Sequence, residues 1–376
     1  MRKSIGSPAG ISGRKREKFR IRRNAAAAAV AAAAMAMAGG AAAPAFAQSA
    51  PAPAPSPTSV SSQLAPSGSS ALSSTVSYWT RSRMLSARNA DAVSTKPAGR
   101  APASHAAPSG PAVRIAGAGP TRALRGGARP GTAPAGGKAT PMTGPIGTPW
   151  TGSLTLPPAT TTGVVFFTTT GNGVTESWRC SASTVNSAAK NEVFTAGHCV
   201  YGSIGGQVPG ETWHTHWAFV PDYRYGSAPY GVWTARQLWT LTAYVGTQDE
   251  GVDMGAAVMN ANGFGQQIVN VLGGQGLAVN EPYLYVYNFG YPAQPPFNGA
   301  VLDYCSGLEF GWPYVAGTMG MACNFTGGSS GGPWLAFFGG ELGYINGVNA
   351  FKYASLPSYI FSPYFGTDAY NLYLAA

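Results

Sequence analysis

The sequence predicts an all-β domain over residues 148–376, with one short helix at its C-terminal end. From about Thr148, aromatic residues become frequent, and short β-rich runs alternate with Gly, Pro and Asn turns. Helical periodicity is nearly absent until Thr367 or Asp368, which are suitable caps for a short helix that ends at Leu374. Many short strands followed by one helix are typical of a β-sandwich or a pair of β-barrels.

The predicted strands are runs rich in β-branched and aromatic residues that are bounded by turn residues. They are Val164–Thr169, Trp178–Val185, Glu192–Thr195, Leu238–Val245, Val252–Met259, Tyr283–Phe289, Trp334–Phe338 and Leu342–Phe351. From Tyr283 to Tyr287, aromatic residues alternate with aliphatic ones, and this period of two indicates a strand with two different faces.

The net charge of +10 belongs to the N-terminal part of the chain and not to the predicted domain. Residues 1–147 hold 19 of the 24 Lys and Arg but only two of the 14 acids. Residues 148–376 hold the other five bases and twelve acids, a net charge of −7. A high isoelectric point often indicates a polyanionic partner, but the acidic domain argues against nucleic acid as its partner.

The first 47 residues are typical of an export signal. A basic stretch from Arg14 to Arg23 precedes an Ala-rich apolar run, which ends in the small-x-small cleavage site Ala45–Ala47. The alternatives are a retained membrane anchor and a plain Ala-rich helix, but Gly and Pro break the run just before the cleavage site. We therefore expect residues 1–47 to be a signal peptide, and the protein to be secreted without a stable membrane anchor.

Residues 48–147, here called the leader, are rich in Ala, Pro, Ser and Gly, and Tyr78 and Trp79 are their only aromatic residues. Such a segment buries too little apolar surface of its own to offset the entropy of ordering the chain. We therefore expect the leader to be a mostly disordered propeptide or linker. An inhibitory element around Val76–Leu85 is an alternative for which the sequence gives no support.

The chain has four cysteines, and all of them lie in the predicted domain. They are Cys180, Cys199, Cys305 and Cys323. In an exported protein an even number of cysteines indicates disulfides, and four cysteines allow three pairings. Free buried thiols and a metal site are the alternatives, but the sequence has no Cys-x-x-Cys pair of the kind that binds zinc. We expect two disulfides, no metal and no cofactor.

Two segments carry residues that are suited to nucleophilic catalysis. Glu192–Cys199 places His198 just after a β-rich run, and Thr326–Pro333 places Ser330 in a glycine-rich turn. A serine hydroxyl is a weak nucleophile at neutral pH, and it needs a base such as imidazole to take its proton. The glycines allow a tight turn in which the amides of Gly328 and Ser330 converge on a developing oxyanion.

Together these segments resemble the trypsin-like serine peptidases, whose hallmarks are Thr-Ala-x-His-Cys and Gly-x-Ser-Gly-Gly-Pro. This sequence has TAGHC at 195–199 and GSSGGP at 328–333, in the family's order, and the resemblance extends over roughly residues 160–376. It looks closest to secreted bacterial members related to the glutamyl endopeptidases. The resemblance implies two six-stranded antiparallel β-barrels of the chymotrypsin type, with His198 as the base and Ser330 as the nucleophile.

The resemblance also implies an acid between the two motifs, which holds the imidazole in one tautomer and stabilises its cation. The candidates are Asp249, Glu250 and Asp253. Asp253 precedes the small and apolar run Met254–Val258, as the acid does in the family, whereas the other two candidates lie in a predicted turn. We expect Asp253 to complete the triad.

The resemblance further implies how the cysteines pair. In the family, the Cys after the catalytic His pairs with a Cys on the preceding strand, which implies Cys180–Cys199 and leaves Cys305–Cys323. Each disulfide closes a loop of about 18 residues and stabilises the fold by roughly 3 kcal/mol in the chain-entropy model.

One residue departs from the pattern of many animal members of the family. These carry an Asp immediately before the nucleophile, where it pairs with a new N-terminal amine on activation. This sequence has Ser329 at that position. We therefore expect that activation switch to be missing, and any latency to come from the leader.

The sequence leaves the residue preference before the scissile bond open. By resemblance, Asn324 and Phe325 begin one wall of the specificity pocket, and Val348–Ala350 form the opposite wall and the edge that pairs with substrate. No acid stands where a trypsin-like pocket binds Lys or Arg. Asn349 stands where glutamyl endopeptidases carry a His that helps to bind a carboxylate, although Lys352 nearby could supply positive charge.

Two further features have alternative interpretations. His214 and His216 would share a face of a strand and could bind zinc together, but zinc needs at least one more ligand. We expect two polar residues there instead. The aromatic residues of Trp217–Tyr230 could bind a cell-wall glycan, but we expect them to pack a long loop between barrel strands.

These features predict a secreted serine endopeptidase that acts on proteins or peptides, as a monomer, through an acyl-enzyme intermediate. We expect a serine protease domain over residues 148–376 and a mature enzyme that starts between about Pro130 and Thr151. The alternatives are a catalytically silent binding module on the same scaffold and a hydrolase of non-peptide esters. Silent modules usually lose the His or the Ser, and this chain keeps both.

Overall fold

The computed structural model describes residues 59–90, 109–121, 144–202 and 212–376. The predicted signal peptide, residues 1–47, lies outside the described residues. Within the described ranges, no helix is long and apolar enough to cross a membrane.

The elements fall into two groups along the chain. Those that lie in or begin in the leader are β1 (Val60–Leu64), α1 (Ser69–Tyr78), α2 (Arg81–Ser86), β2 (Arg88–Asn89), β3 (Val113–Ile115) and β4 (Gly144–Pro149). Those of the domain are β5 (Thr162–Gly171), β6 (Val174–Val185), β7 (Glu192–Thr195), β8 (Thr215–Pro221), β9 (Trp233–Leu241), α3 (Thr242–Thr247), β10 (Gly255–Met259), α4 (Ile268–Leu272), β11 (Gly276–Val279), β12 (Tyr285–Gly290), β13 (Asp303–Gly311), β14 (Thr318–Ala322), β15 (Pro333–Ala336), β16 (Tyr344–Val348), β17 (Tyr359–Pro363) and α5 (Thr367–Ala375).

The first half of the domain is a closed antiparallel barrel of six strands. The strands follow each other in the order β5-β6-β7-β10-β9-β8, and β8 pairs with both β9 and β5 to close the ring. The run Val164–Phe167 on β5 is fully buried, because the barrel core covers one face of the strand and other segments cover the second. Trp79 of the leader packs on Phe166, for example, with 5.3 Å between ring centroids. The predicted all-β fold is confirmed, and this half is a complete barrel.

The second half is a sheet that gains strands from the leader. Its order is β17-β14-β13-β12-β15-β16-β11-β3, with β4 paired to β13. All these pairs are antiparallel except β11 with β16. The amide of Ala350 donates to the oxygen of Phe361 at 2.9 Å, which brings the chain after β16 to β17. The expected second barrel is therefore present as a sheet that β3, β4 and β11 extend.

The predicted C-terminal helix is present as α5, but its N-terminal cap is Gly366 and not the predicted Thr367 or Asp368. Its buried face holds Ala369 and Leu372. The hydroxyl of Ser109, a leader residue, accepts a hydrogen bond from the amide of Thr367 at 2.9 Å. The side chain that satisfies this N-terminal amide therefore comes from the leader, and not from Thr367 or Asp368.

The described parts of the leader fold against the domain, although their composition predicts disorder. Four leader strands pair with domain strands: β1 with β9, β2 with β6, β3 with β11 and β4 with β13. Trp79 and Met84 are only 3% and 4% exposed. The leader needs no core of its own, because strand edges of the domain supply hydrogen bonds and the domain core supplies apolar contacts. The assignment of residues 48–147 as a propeptide or linker stays a prediction.

A buried carboxyl on β13 links the stability of the fold to pH. Glu309 is 5% exposed, and its Oε2 accepts a hydrogen bond from the amide of Leu284 at 3.0 Å. Burial raises the pKa of Glu309 from 4.5 to about 8. The folded protein therefore holds a proton on Glu309 across a pH range in which the unfolded chain does not.

We expect the contribution of Glu309 to the free energy of unfolding to be fully present below pH 4.5 and to be lost as the pH rises to about 8. Glu309→Gln should weaken this pH dependence and stabilise the protein above pH 8 by up to a few kcal/mol, at about 1.4 kcal/mol per pKa unit. Urea unfolding at several pH values measures the effect, with Glu341→Gln at an exposed position as the matched control. An equal pH dependence in the wild type and Glu309→Gln would contradict the assignment.

Candidate active site

His198 lies in a short turn that begins two residues after β7 ends. The next residue, Cys199, forms a disulfide with Cys180 on β6, which ties the turn to a neighbouring strand of the barrel. At Gly197 an added Cβ would lie 3.0 Å from Oδ1 of Asp253. The missing side chain thus lets the turn approach the acid closely.

The carboxylate of Asp253 makes two hydrogen bonds to His198. Nδ1 of the ring lies 2.7 Å from Oδ2, and the backbone amide donates to Oδ1 at 2.8 Å. Asp253 is 2% exposed and His198 is 8% exposed. A neutral imidazole that donates from Nδ1 keeps a lone pair on Nε2, which is the tautomer that a general base requires. Of the three candidate acids, Asp253 is the one that the structure brings to the imidazole, while Asp249 accepts from the amide of Gly251 within its own turn.

His214 contacts the backbone of His198, whereas His216 contacts a different part of the barrel. Nε2 of His214 lies 3.0 Å from the carbonyl oxygen of His198, and its ring stacks on Phe167 with centroids 4.3 Å apart. Burial lowers the pKa of His214 to about 3, so the ring is neutral and donates from Nε2. His216 contacts Thr168 instead, through Nδ1 at 3.1 Å.

Ser330 lies in a turn whose shape depends on glycine at two positions. Gly328 has a φ of 92° and Gly331 a φ of 80°, a region that other residues rarely adopt. A Cβ at Gly331 would lie 2.0 Å from Oγ1 of Thr195, so the turn packs tightly against the first barrel. Ser330 is 7% exposed, and its hydroxyl donates to the carbonyl oxygen of Ala90 at 3.1 Å.

The amides of Gly328 and Ser330, which the sequence predicts to bind an oxyanion, are available in this turn. Over the ranges that the structure describes, neither amide has a hydrogen-bond acceptor. The amides of Ser329 and Gly331 do donate to carbonyl oxygens, at 3.3 Å and 2.6 Å. An incoming oxygen would therefore find two amide donors that no neighbouring group occupies.

Ser181 on β6 joins the turn Gly328–Gly331, here called the nucleophile turn after the predicted role of Ser330, to the closed barrel. Its amide donates to the carbonyl oxygen of Ser330 at 2.6 Å, and its hydroxyl donates to the carbonyl oxygen of Gly328 at 2.9 Å. Ser181 directly follows Cys180, whose disulfide partner directly follows His198. Adjacent residues of one strand thus hold the segments that carry the imidazole and the hydroxyl.

The structure joins Cys180 to Cys199 and Cys305 to Cys323, which is the pairing that the resemblance implies. Among the described residues, the group of Cys, His and acidic side chains that is compact enough for a metal ion is Cys180, His198 and Cys199. Both sulfur atoms of this group are in a disulfide, so they cannot act as the thiolate ligands that a metal requires.

A small cavity of about 40 Å³ opens beside Ser330. Its lining consists of Gln294, Thr326, Gly327, Ser329, Ser330, Asn349, Ala350, Phe351, Lys352 and Ile360. Two of the predicted pocket residues, Asn349 and Ala350, are among them. Lys352 carries the only charge of this described lining, and its Nζ donates to the carbonyl oxygen of Phe325 at 2.7 Å.

The other predicted pocket residues, Asn324, Phe325 and Val348, do not line this cavity. Oδ1 of Asn324 accepts a hydrogen bond from the amide of Gly147 at 2.7 Å. The ring of Phe325 is fully buried and packs edge-on against Phe297, and the side chain of Val348 belongs to the hydrophobic core. Gly147 of β4 thus contacts Asn324 and Phe325, two residues that the sequence assigns to the pocket.

Sequence reasoning missed Gln294, Thr326 and Ile360 as lining residues. Thr326 stands two residues before the glycine-serine motif, so its position in the sequence could have indicated it. Gln294 and Ile360 are distant from the motif in the sequence, and no local sequence pattern marks them as lining residues. Asn349 was predicted, but its Oδ1 already accepts from Nε1 of Trp334 at 2.8 Å, which gives it a structural role in the wall.

No protein-family model matches the chain, and no curated protein sequence matches it. Solved structures do match. The chain is 40% identical to the protease Anisep from Arthrobacter nicotinovorans, with a TM-score of 0.52 over 58% of this chain and 97% of that one. It is 36% identical to the thermostable serine protease AL20 from an extremophilic microorganism, with the same TM-score and coverage. A Glu endopeptidase structure matches at 17% identity and a TM-score of 0.45, a likeness too distant to indicate function.

Proposed function

The chain belongs to the serine proteases with the chymotrypsin fold, and from this membership we propose that it is a secreted endopeptidase with His198, Asp253 and Ser330 as its catalytic triad. Its substrates are proteins or peptides, and it works as a monomer without metal or cofactor. The observation that carries the proposal is the buried contact of 2.7 Å between Nδ1 of His198 and Oδ2 of Asp253.

In the proposed reaction, Oγ of Ser330 attacks the carbonyl carbon of the scissile peptide bond while Nε2 of His198 takes the hydroxyl proton. The amides of Gly328 and Ser330 donate to the oxyanion of the tetrahedral intermediate. His198 then gives its proton to the leaving amine, and an acyl-enzyme remains. Water that His198 deprotonates hydrolyses this ester. Throughout, the carboxylate of Asp253 holds the ring in place and stabilises its cation.

Two features support catalysis over a silent binding module on the same scaffold. The buried pair of His198 and Asp253 would only cost desolvation energy in a module without chemistry. The amides of Gly328 and Ser330 are likewise kept without an acceptor in the described chain, which is costly unless a ligand uses them. The cavity beside Ser330 offers a site for the side chain before the scissile bond, with Lys352 as its charged residue.

We place the proposed maturation site in the chain before β4. The six residues of β4, Gly144–Pro149, pair with β13, and the ring of Trp150 packs edge-on against Phe289 and Tyr304. Residues from Gly144 onward thus contribute to the catalytic domain. In this proposal residues 1–47 direct export, most of the leader is removed after export, and the mature enzyme begins between about Pro130 and Gly144.

We expect a fluorophosphonate probe to label Ser330 of the mature enzyme and to abolish its cleavage of a peptide library. Ser330→Ala should remove both labelling and cleavage, because the probe and the substrate need the same activated hydroxyl. Ser329→Ala is the matched control. Its hydroxyl donates to the carbonyl oxygen of Thr326 at 2.8 Å, so its loss should leave both readouts in place. A label on Ser329, cleavage of esters but not of peptides, or no reaction at all would each refute the proposed function.

Asp253→Asn should lower kcat on a peptide substrate by about 10⁴-fold, because an amide group that donates to the ring favours the wrong tautomer of His198. Asp249→Asn is the matched control. The side chain of Asp249 accepts a hydrogen bond from the amide of Gly251, so kcat should change little. Steady-state kinetics on purified mature protein measure both. A large loss at position 249 with a small loss at position 253 would reverse the assignment of the acid.

N-terminal sequencing of the secreted protein should give a start between about Pro130 and Gly144, because a later cut would remove β4 from its sheet. Ser330→Ala should accumulate a longer form if the enzyme removes its own leader. Active protein that starts at Gln48 and persists would show instead that the leader is a permanent part of the enzyme.

A further inference from the structure

The leader reaches the candidate nucleophile directly. Ala90 is fully buried, and its carbonyl oxygen accepts the hydrogen bond from Oγ of Ser330 at 3.1 Å. A hydroxyl has a single proton to donate, and a carbonyl oxygen can only accept. While this contact lasts, the proton that His198 must take is directed at Ala90 instead.

Ala90 is held between the two halves of the domain. On one side, β2 pairs in parallel with β6, and the amide of Ala90 donates to the carbonyl oxygen of Arg179 at 3.0 Å. On the other side, Asn89 lies against the nucleophile turn, where its Oδ1 is 3.0 Å from the place a Cβ of Gly328 would occupy. The leader therefore fills the space beside Ser330 that a substrate would need.

The bound segment is not oriented as a substrate. A scissile carbonyl would present its carbon to Oγ of Ser330 and its oxygen to the amides of Gly328 and Ser330. The carbonyl oxygen of Ala90 faces Oγ instead, and within the described chain those two amides have no acceptor. The segment can therefore block the site without being positioned for attack.

Anchors outside the cleft hold the segment in place. Trp79 is 3% exposed, packs on Phe166, and donates from Nε1 to the carbonyl oxygen of His216 at 2.6 Å. Met84 is 4% exposed, and the guanidinium of Arg81 donates to the carbonyl oxygen of Tyr225 at 3.0 and 3.2 Å. Buried aromatic and aliphatic anchors of this kind supply most of the binding energy of an interface.

We propose that residues 78–90, here called the leader arm, are an intramolecular inhibitor of the active site. The arm anchors through Trp79 and Met84, runs along β6, and keeps Ser330 latent by accepting its hydroxyl hydrogen bond at Ala90. This inference rests on the proposed function, and it names the partner that occupies the cleft before activation. Because the proposed maturation site lies beyond Pro130, one cut does not remove the arm, and its non-covalent contacts must also be lost.

The test compares the rate of fluorophosphonate labelling of Ser330 in the unprocessed and the processed protein, with intact mass to separate the two species. The unprocessed wild type should label more slowly than the processed enzyme by about tenfold or more, since the rate scales with the fraction of molecules whose cleft is open. Trp79→Ala should speed labelling of the unprocessed species without changing that of the processed one. Val76→Ala, at a leader position that is 44% exposed, is the matched control and should label like the wild type.

Equal labelling of the unprocessed and the processed wild type would overturn the proposal and leave the proposed function intact. The proposal is also overturned if unprocessed Trp79→Ala labels as slowly as the unprocessed wild type, provided that thermal unfolding shows the variant to be folded. If Trp79→Ala does not fold, the comparison within the wild type decides alone. Absence of label from Ser330 in both species would refute the proposed function itself, and the two failures are thus distinguishable.

Discussion

Ser181 connects the two halves of the domain where they meet at the candidate active site. Its amide and hydroxyl donate to the carbonyl oxygens of Ser330 and Gly328, its hydroxyl accepts from the amide of Tyr291 at 3.0 Å, and its carbonyl oxygen accepts from Oγ1 of Thr195 at 2.9 Å. Ser181 is fully buried, so each of these groups would cost about 1–3 kcal/mol if it lost its partner. These hydrogen bonds help to fix the position of the nucleophile turn relative to the imidazole.

Successive residues of β6, the strand that holds Ser181, contact different segments around the candidate active site. Along β6, Trp178 and Arg179 pair with the leader, Cys180 forms the disulfide beside His198, and Ser181 holds the nucleophile turn. The single strand β6 thus contacts the leader, the segment that holds His198 and the turn that holds Ser330. The leader, although distant in the sequence, therefore reaches the hydroxyl of Ser330 by following β6.

The family, the mainly β architecture and the contact of His198 with Asp253 could be anticipated because local chemistry determines them. Glycines with positive φ make the nucleophile turn recognisable in the sequence, and the predicted strand Glu192–Thr195 has the same bounds as β7. The predicted strand Leu238–Val245 is wrong over its second half, where Thr242–Thr247 forms a helix. A short apolar run does not distinguish a strand from a helix.

What the sequence could not reveal depends on contacts between distant segments. Composition predicted a disordered leader because it counts only what a segment can bury on itself, whereas Trp79 and Met84 are buried on the domain. A similar reason keeps three of the predicted pocket residues out of the cavity lining. Gly147 of β4 contacts Asn324 and Phe325. No sequence motif near either residue indicates this contact.

The pairing of β3 with β11 also affects the solubility of the chain. β11 is joined to β16 along one edge, and β3 covers its other edge. An uncovered strand edge presents free amides and carbonyls that can pair with another chain, which is a common route to aggregation. Without β3, β11 would offer a template of only four residues, Gly276–Val279. So short an edge gives an invading strand few hydrogen bonds, so the loss of β3 alone would add little risk of self-association.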